Sequence, residues 1–167
     1  MKIVLLSCCA PCSIDMIYEL KSRGGEFVVL FYNPNIYPLS EYEKRLDAQK
    51  KLCTELGAEL VVIDGRYNEW KKGIAGLESE PERGHRCTVC FRHRIKFAAK
   101  WATDNGYDTI ATTLGVSRHK CQAQVDAAAS AAIDGLKYIH INANHESPIT
   151  NHDLYKQNYC GCEFSLR

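Results

Sequence analysis

Seven of the nine cysteines fall into three short groups far apart in the chain, and a fold that uses them together must bring those three segments to one place. The groups are Cys8, Cys9 and Cys12 in SCCAPCS, Cys87 and Cys90 in RCTVC, and Cys160 and Cys162 in YCGC. A Cys-x-x-Cys or Cys-x-Cys spacing fixes two sulfurs on one local turn, and several such turns drawn together are what a soft metal needs. A disulfide framework is the other reading of clustered cysteines, and the expected compartment argues against it. The start, MKIVLLSCC, offers one lysine and an apolar run of four residues before Ser7. That is too short for the apolar region of a signal peptide, and the same brevity argues against LLSC as a lipoprotein cleavage site. No later segment approaches the roughly 18 apolar residues of a membrane span. The expectation is a cytoplasmic protein, without membrane association, whose thiols stay reduced and serve metal binding or catalysis. At 167 residues and a net charge of +1, the chain has the size of a domain that buries a full core without disulfides.

Apolar runs rich in β-branched residues alternate with helical patterns along the whole length, the signature of an α/β fold with a parallel sheet and crossover helices. The runs are Lys2 to Leu6, Phe27 to Tyr32, Leu60 to Ile63, Thr109 to Thr113 and Tyr138 to Ile141. Ser40 followed by Glu43 reads as a capping box, opening a helix whose inner face is Tyr42, Leu46, Gln49, Cys53 and Leu56. A second helix is predicted after Cys87, with Phe91, Ile95, Ala98, Ala99 and Ala102 on one face. A third is predicted from Arg118 to Ile133, with Cys121, Val125, Ala129 and Ala132 in line. No repeat, low-complexity stretch or linker interrupts the pattern, so residues 1–167 read as a single domain. Cys53 on its apolar stripe reads as a small core hydrophobe. Cys121 also falls on an apolar stripe and reads first as a core residue, with a place near the site as the lesser alternative because it stands near the start of its helix, just after a strand end.

In an open parallel sheet, ligands bind at the carboxyl ends of the strands. Cys8 and Cys9 directly follow the first strand, and Cys12 falls at the start of the next helix after Pro11, where helix amides favour a thiolate. Asp64 ends the third strand on the same edge, as a cap or as a ligand. Gly161 lets the backbone turn tightly enough for Cys160 and Cys162 to face one place. A structural zinc takes four thiolates and so does one [4Fe-4S] cluster, so seven are too many for either alone. A second metal, or a thiol pair beside a cluster, would use the remainder. A thioredoxin-like pair at Cys9 and Cys12 would leave Cys87, Cys90, Cys160 and Cys162 unexplained.

Five stretches in unbroken order resemble the QueH-type epoxyqueuosine reductases: SCCAPCS, FYNPNIYPLSEYEKRLDAQKKL, the acidic lead into RCTVCFRHRI, TTLGVSRHK, and LYKQNYCGC. The resemblance implies a Rossmann-like domain related to the HUP and PP-loop ATPase folds, and a [4Fe-4S] cluster with an additional iron ion beside it. It also implies reduction of epoxyqueuosine to queuosine in tRNA, with electrons from an external donor. The chain departs from the family pattern in a shortened segment between the last strand and YCGC. It departs again at Cys121, where the family more often has a polar residue. His140, His145 and His152 fall in that segment, and their irregular spacing among Asn, Ser and Pro reads as a polar loop.

Removing an epoxide oxygen needs two electrons, protons and an oxophilic group. Cys8, Cys9, Cys12, Cys87, Cys90, Cys160 and Cys162 are the expected thiolate ligands, with Asp64 as a hypothetical oxygen ligand of the additional iron. Cys8 and Cys9 are adjacent, and neighbours in extended backbone point opposite ways, so one is expected to serve each metal. His119 is the preferred proton donor, with Tyr32 and Tyr159 behind it. With so little net charge, a polyanionic tRNA must be met by local patches. Arg92, Lys96 and Lys100 form a stripe at helical spacing with Arg94 close by, and Arg118 and Lys120 add charge at the strand edge. Asn33 to Asn35, NPN, reads as a rigid turn. Two alternatives are a PP-loop tRNA thiolase, though SCCAPCS lacks the glycines of a phosphate loop, and a non-catalytic zinc-binding RNA module.

Overall fold

A computed structural model describes residues 1–142 and 154–166. The strands are β1 (Lys2–Ser7), β2 (Glu26–Tyr32), β3 (Leu60–Ile63), β4 (Thr109–Thr112) and β5 (Lys137–Tyr138). The helices are α1 (Ala10–Ser22), α2 (Leu39–Leu56), α3 (Tyr67–Gly73), α4 (His85–Asp104) and α5 (Gln122–Ala132). The strands pair in parallel in the order β3-β2-β1-β4-β5. β1 is central and covered on both sides, which is why KIVLL is apolar without alternating. Ile3 and Leu5 face α1 and α2, packing with Ile14, Ile17, Leu52 and Cys53. Val4 and Leu6 face the other way, packing with Ile95 and Ala98 of α4 and with Val125 and Ala129 of α5. The chain winds outward from β1 through β2 to β3, then returns to lay β4 on the other side of β1. The crevice at that reversal, outside the carboxyl ends of β1 and β4, is where such sheets bind ligands.

Three helix starts differ from the sequence expectation, each for a local reason. Pro38 stands at the N-cap of α2 and its fixed φ opens the helix at Leu39, so Ser40 lies inside the first turn and no capping box forms. Glu80 accepts the His85 N–H at 3.0 Å, so α4 begins before Cys87 and carries both Cys87 and Cys90 in its first turns. A turn of 3-10 helix at Leu114–Val116 and a bond from Lys120 N–H to Ser117 O (3.0 Å) keep Arg118 to Lys120 out of α5. Cys121 is therefore an exposed N-cap rather than part of an apolar stripe. β5 begins at Lys137 and takes in only Tyr138 of the run predicted at Tyr138 to Ile141, because it pairs with just the start of β4. The short helix α3 was not anticipated, and its Trp70 is fully buried.

Candidate metal centre

The SCCAPCS turn is held from both sides. Ser7 Oγ and Ser13 Oγ donate to Gln49 Oε1 of α2 (2.7 and 3.2 Å), while the Cys8 N–H donates to Thr113 Oγ1 beyond β4 (3.0 Å). Cys9 is the N-cap of α1, with φ −173° and ψ 156°, and Cys12 lies one turn on. The three sulfurs of Cys8, Cys9 and Cys12 lie within 4.8 Å of one another. Cys8 Sγ and Cys9 Sγ are 3.6 Å apart, so the expectation that these neighbours point opposite ways does not hold. The strand ends at Ser7, and the backbone turns into α1 instead of continuing the pleat. A tetrahedral ion with metal–sulfur bonds of about 2.3 Å spaces its sulfurs about 3.8 Å apart, which this trio approaches. Thiol hydrogen bonds from Cys12 and Cys9 pull the Cys8 thiol well below its usual range, while the bond to Cys8 pushes Cys12 up. A metal bound here would displace the remaining thiol protons.

The other two cysteine groups meet in a chamber walled by α3, α4, the Asn33–Tyr37 loop and the chain end. Cys87, Cys90 and Arg94 follow one another at three and four residues on α4, so they share the face turned inward. Cys160 and Cys162 arrive on a loop that α2 holds by its backbone. Arg45, buried and paired to Glu41 at 2.7 Å, donates to Cys160 O (3.2 Å) and Tyr159 O (3.1 Å). Tyr37 N–H donates to Gly161 O at 2.9 Å. Gly161 has φ +104°, and a Cβ there would stand 3.0 Å from both Arg45 and Ile36, so the loop requires glycine. Backbone amides donate to two sulfurs: Arg83 N–H to Cys87 (3.3 Å) and Cys162 N–H to Cys160 (3.4 Å). The hydrogen bond from the Cys162 thiol brings Cys160 down to about 5. Trp70 completes the wall; burial raises the Cys90 thiol, an effect that the Arg94 charge and the nearby Trp70 indole N–H oppose without reversing. Arg86, Arg94 and Lys120 also line the chamber, placing three cations beside its four sulfurs.

These two thiol sets are neighbours: Cys87 packs against the core cluster that holds Cys8 and Cys9, and the Lys120 charge acts on Cys8, Cys9, Cys90 and Cys160. The donor set suits iron-sulfur or other soft-metal binding, with four spread thiols in the chamber and three close together at the β1 turn.

Several predicted site residues stand elsewhere. Asp64 ends β3 on the expected edge but lines a separate open cavity, where Tyr42 donates to it. Tyr32 is stacked on Phe97, its hydroxyl lies 3.0 Å from His93 Nε2, and burial pushes it up to about 12; it does not line the chamber. Tyr159 lies beneath Arg45 and donates to Tyr37 O, again outside the chamber lining. Arg94 is buried and bonds Asn33 and Tyr32 O, so it is not part of an exposed stripe; it lies opposite Arg92, Lys96 and Lys100, which are exposed. Lys120 likewise turns into the chamber, while Arg118 stays exposed. His119 does line the chamber, half-buried, with Nδ1 3.6 Å from Glu82. Cys53 is buried and accepts from Gln49 Nε2 at 3.4 Å. His145 and His152 lie outside the described residues. Arg45, Trp70, Arg86 and Gln157, which donates to Cys9 Sγ at 2.8 Å, were missed. Only the three-and-four spacing of Cys87, Cys90 and Arg94 was there to find Arg94.

The sequence pattern of the family described as "Epoxyqueuosine reductase QueH" matches residues 3–167. The chain belongs to the QueH family. It is 36% identical to the epoxyqueuosine reductase QueH of Histophilus somni, over 99% of this chain and 72% of that protein. Against the QueH of Acinetobacter baylyi it is 34% identical, covering 99% and 81%, and against that of Dehalococcoides mccartyi 31%, covering 98% and 92%. Among solved structures it is similar to the U34-tRNA thiolase NcsA from Methanococcus maripaludis with its [4Fe-4S] cluster. The TM-score is 0.55 at 15% identity, over 84% of this chain and 50% of that one, which establishes the shared fold. No helix among the described residues is long and apolar enough to cross a membrane.

Proposed function

We propose that this protein is an epoxyqueuosine reductase acting on the tRNA anticodon loop in the cytoplasm. The observation that carries the reading is the division of seven thiols into a chamber of four and a compact trio beside it, in a chain of the QueH family. Cys87, Cys90, Cys160 and Cys162 would hold a [4Fe-4S] cluster, and Cys8, Cys9 and Cys12 an additional iron ion. When bound, the cluster supplies electrons one at a time and the single iron supplies a Lewis-acid position. The reaction takes two electrons from an external low-potential donor and two protons, breaks both epoxide C–O bonds, forms the C=C bond and releases water.

The chain's own residues bind, orient and protonate. His119 is the protonating group, held at the chamber wall by the Glu82 carboxylate. Lys120, Arg94 and Arg86 offset negative charge around the thiolates, and Trp70 and Phe91 exclude water from the chamber. Arg92, Lys96, Lys100 and Arg118, all exposed, would meet tRNA phosphates. The test joins two measurements. Anaerobically purified protein should be brown, with more iron than sulfide accounts for, and its gene should convert epoxyqueuosine to queuosine in cells lacking their own reductase. Epoxyqueuosine that persists beside a loaded cluster, or colourless protein holding only zinc after reconstitution, would refute the reading.

A further inference from the structure

A cavity of about 830 Å³ opens at the carboxyl ends of β2 and β3, between the start of α2 and α3, and the thiol chemistry leaves it without a role. We infer that it seats the 7-deazaguanine base of the target nucleotide, with Asp64 reading the base's donor edge; this rests on the function proposed above. Its size lies within the range of small-molecule sites, roughly 300–1,000 Å³. Tyr37 and Tyr67 form a stacked pair on its wall, centroids 5.9 Å apart and planes at 29°. Tyr37 is 44% exposed, an aromatic face left to solvent beside an apolar opening. Aromatic faces of this kind hold bases that have been drawn out of a stack.

The polar groups choose the base. A guanine-type edge presents two adjacent donors, the ring N–H and the exocyclic amine, and one carboxylate accepts both; adenine offers a donor beside an acceptor and leaves the second carboxylate oxygen unmatched. Asp64 is the carboxylate at this cavity that a neighbour orients, through the hydroxyl of Tyr42, and its oxygens retain lone pairs for a ligand. Glu43 and Asp47, one helical turn apart on α2, line the same cavity, with Lys50 4.0 Å from Asp47 and exchangeable for a cationic ligand there. They suit the secondary amine on the epoxyqueuosine side chain, which is cationic at neutral pH.

Position supports the same occupant. The cavity and the thiol chamber share a wall: Ile36 and Tyr67 line the cavity, while Asn35 and Trp70 line the chamber. The rings of Tyr67 and Trp70 are 5.8 Å apart across it. A base held in the cavity is therefore next to the metal centre, with its substituent the part free to reach it.

Binding of 7-deazaguanine and 7-deazaadenine to metal-loaded protein, measured by calorimetry, tests the assignment. Wild-type protein should prefer the guanine analogue by about tenfold or more, the scale of a hydrogen-bonded pair to a charged group. Asp64→Asn should abolish that preference, and Tyr37→Ala should weaken both ligands, with iron and sulfide content unchanged in each variant. Equal affinity for the two bases, wild-type selectivity in Asp64→Asn, or loss of iron in Asp64→Asn would overturn it. Guanine selectivity in a wild-type protein that fails to reduce epoxyqueuosine would support the cavity and refute the reaction.

Discussion

Cys8, Cys9 and Cys12 reach one point through a single turn of backbone between β1 and α1, whereas Cys87 and Cys90 on α4 must meet Cys160 and Cys162 from a loop far along the chain. The first group depends on a strand end, a proline-led helix start and two serine hydroxyls on Gln49. The second depends on a buried ion pair on α2, a glycine in the left-handed region and a tryptophan from a short helix. The teaching of the contrast is that three thiols of one local turn are brought together by short-range backbone geometry, while thiols delivered by separate elements depend on long-range packing. Damage to distant parts of the structure should therefore separate the two groups.

The largest effect is expected from the ligands themselves. Cys90→Ala should remove sulfide and most iron and abolish turnover, while Cys12→Ala should abolish turnover yet keep the sulfide and visible absorption of a four-iron cluster. Iron and sulfide assays with absorption spectra decide it; a Cys12→Ala protein stripped of sulfide would break the division between the groups.

Arg45→Met sharpens the comparison from a distance. Removing the guanidinium leaves the buried Glu41 carboxylate with the Tyr155 hydroxyl (2.6 Å) but without its cation, at a cost of about 3 kcal/mol. It also releases the backbone of Tyr159 and Cys160. Denaturant unfolding should show the loss of stability, and Glu41→Gln with Arg45→Met should recover much of it without recovering cluster occupancy. Full sulfide in the double variant would mean that the loop holds its place without α2.

Exposed charge should matter to tRNA and to neither metal group. Arg92→Ala with Lys96→Ala should lower the slope of log affinity against log salt by about 2 if each meets a phosphate, at about 0.9 or slightly less per contact. An unchanged slope would leave the stripe as a solvated helix face. Smallest of all, Cys53→Ala should leave iron, sulfide and turnover at wild-type levels and cost about 1 kcal/mol of stability, because its sulfur lies in the core cluster with Leu52 and accepts from Gln49. Metal loss in that variant would place Cys53 nearer the centre than its helix face allows.

Sequence alone determined the elements whose signals are local. The β-branched runs fixed four of the five strands nearly to the residue, because a central strand covered on both faces must be apolar throughout. The apolar stripe of α4 and the core place of Cys53 followed from helical periodicity, and SCCAPCS announced a turn from strand to helix. Helix starts were less legible, since each was set by a partner or a fixed φ outside the pattern: Glu80 for α4, Pro38 for α2, and the Ser117 turn for α5. Tertiary structure alone decided which side chains share a compartment. Arg94 and Lys120 read as surface charge but turn inward, and Asp64 stands on the predicted edge yet in another cavity. The physical reason is that a sheet edge has width. Sequence places a residue at the carboxyl end of a strand, but the order in which strands lie side by side is set by the packing of both layers of helices, and that order separates β3 from the crevice between β1 and β4.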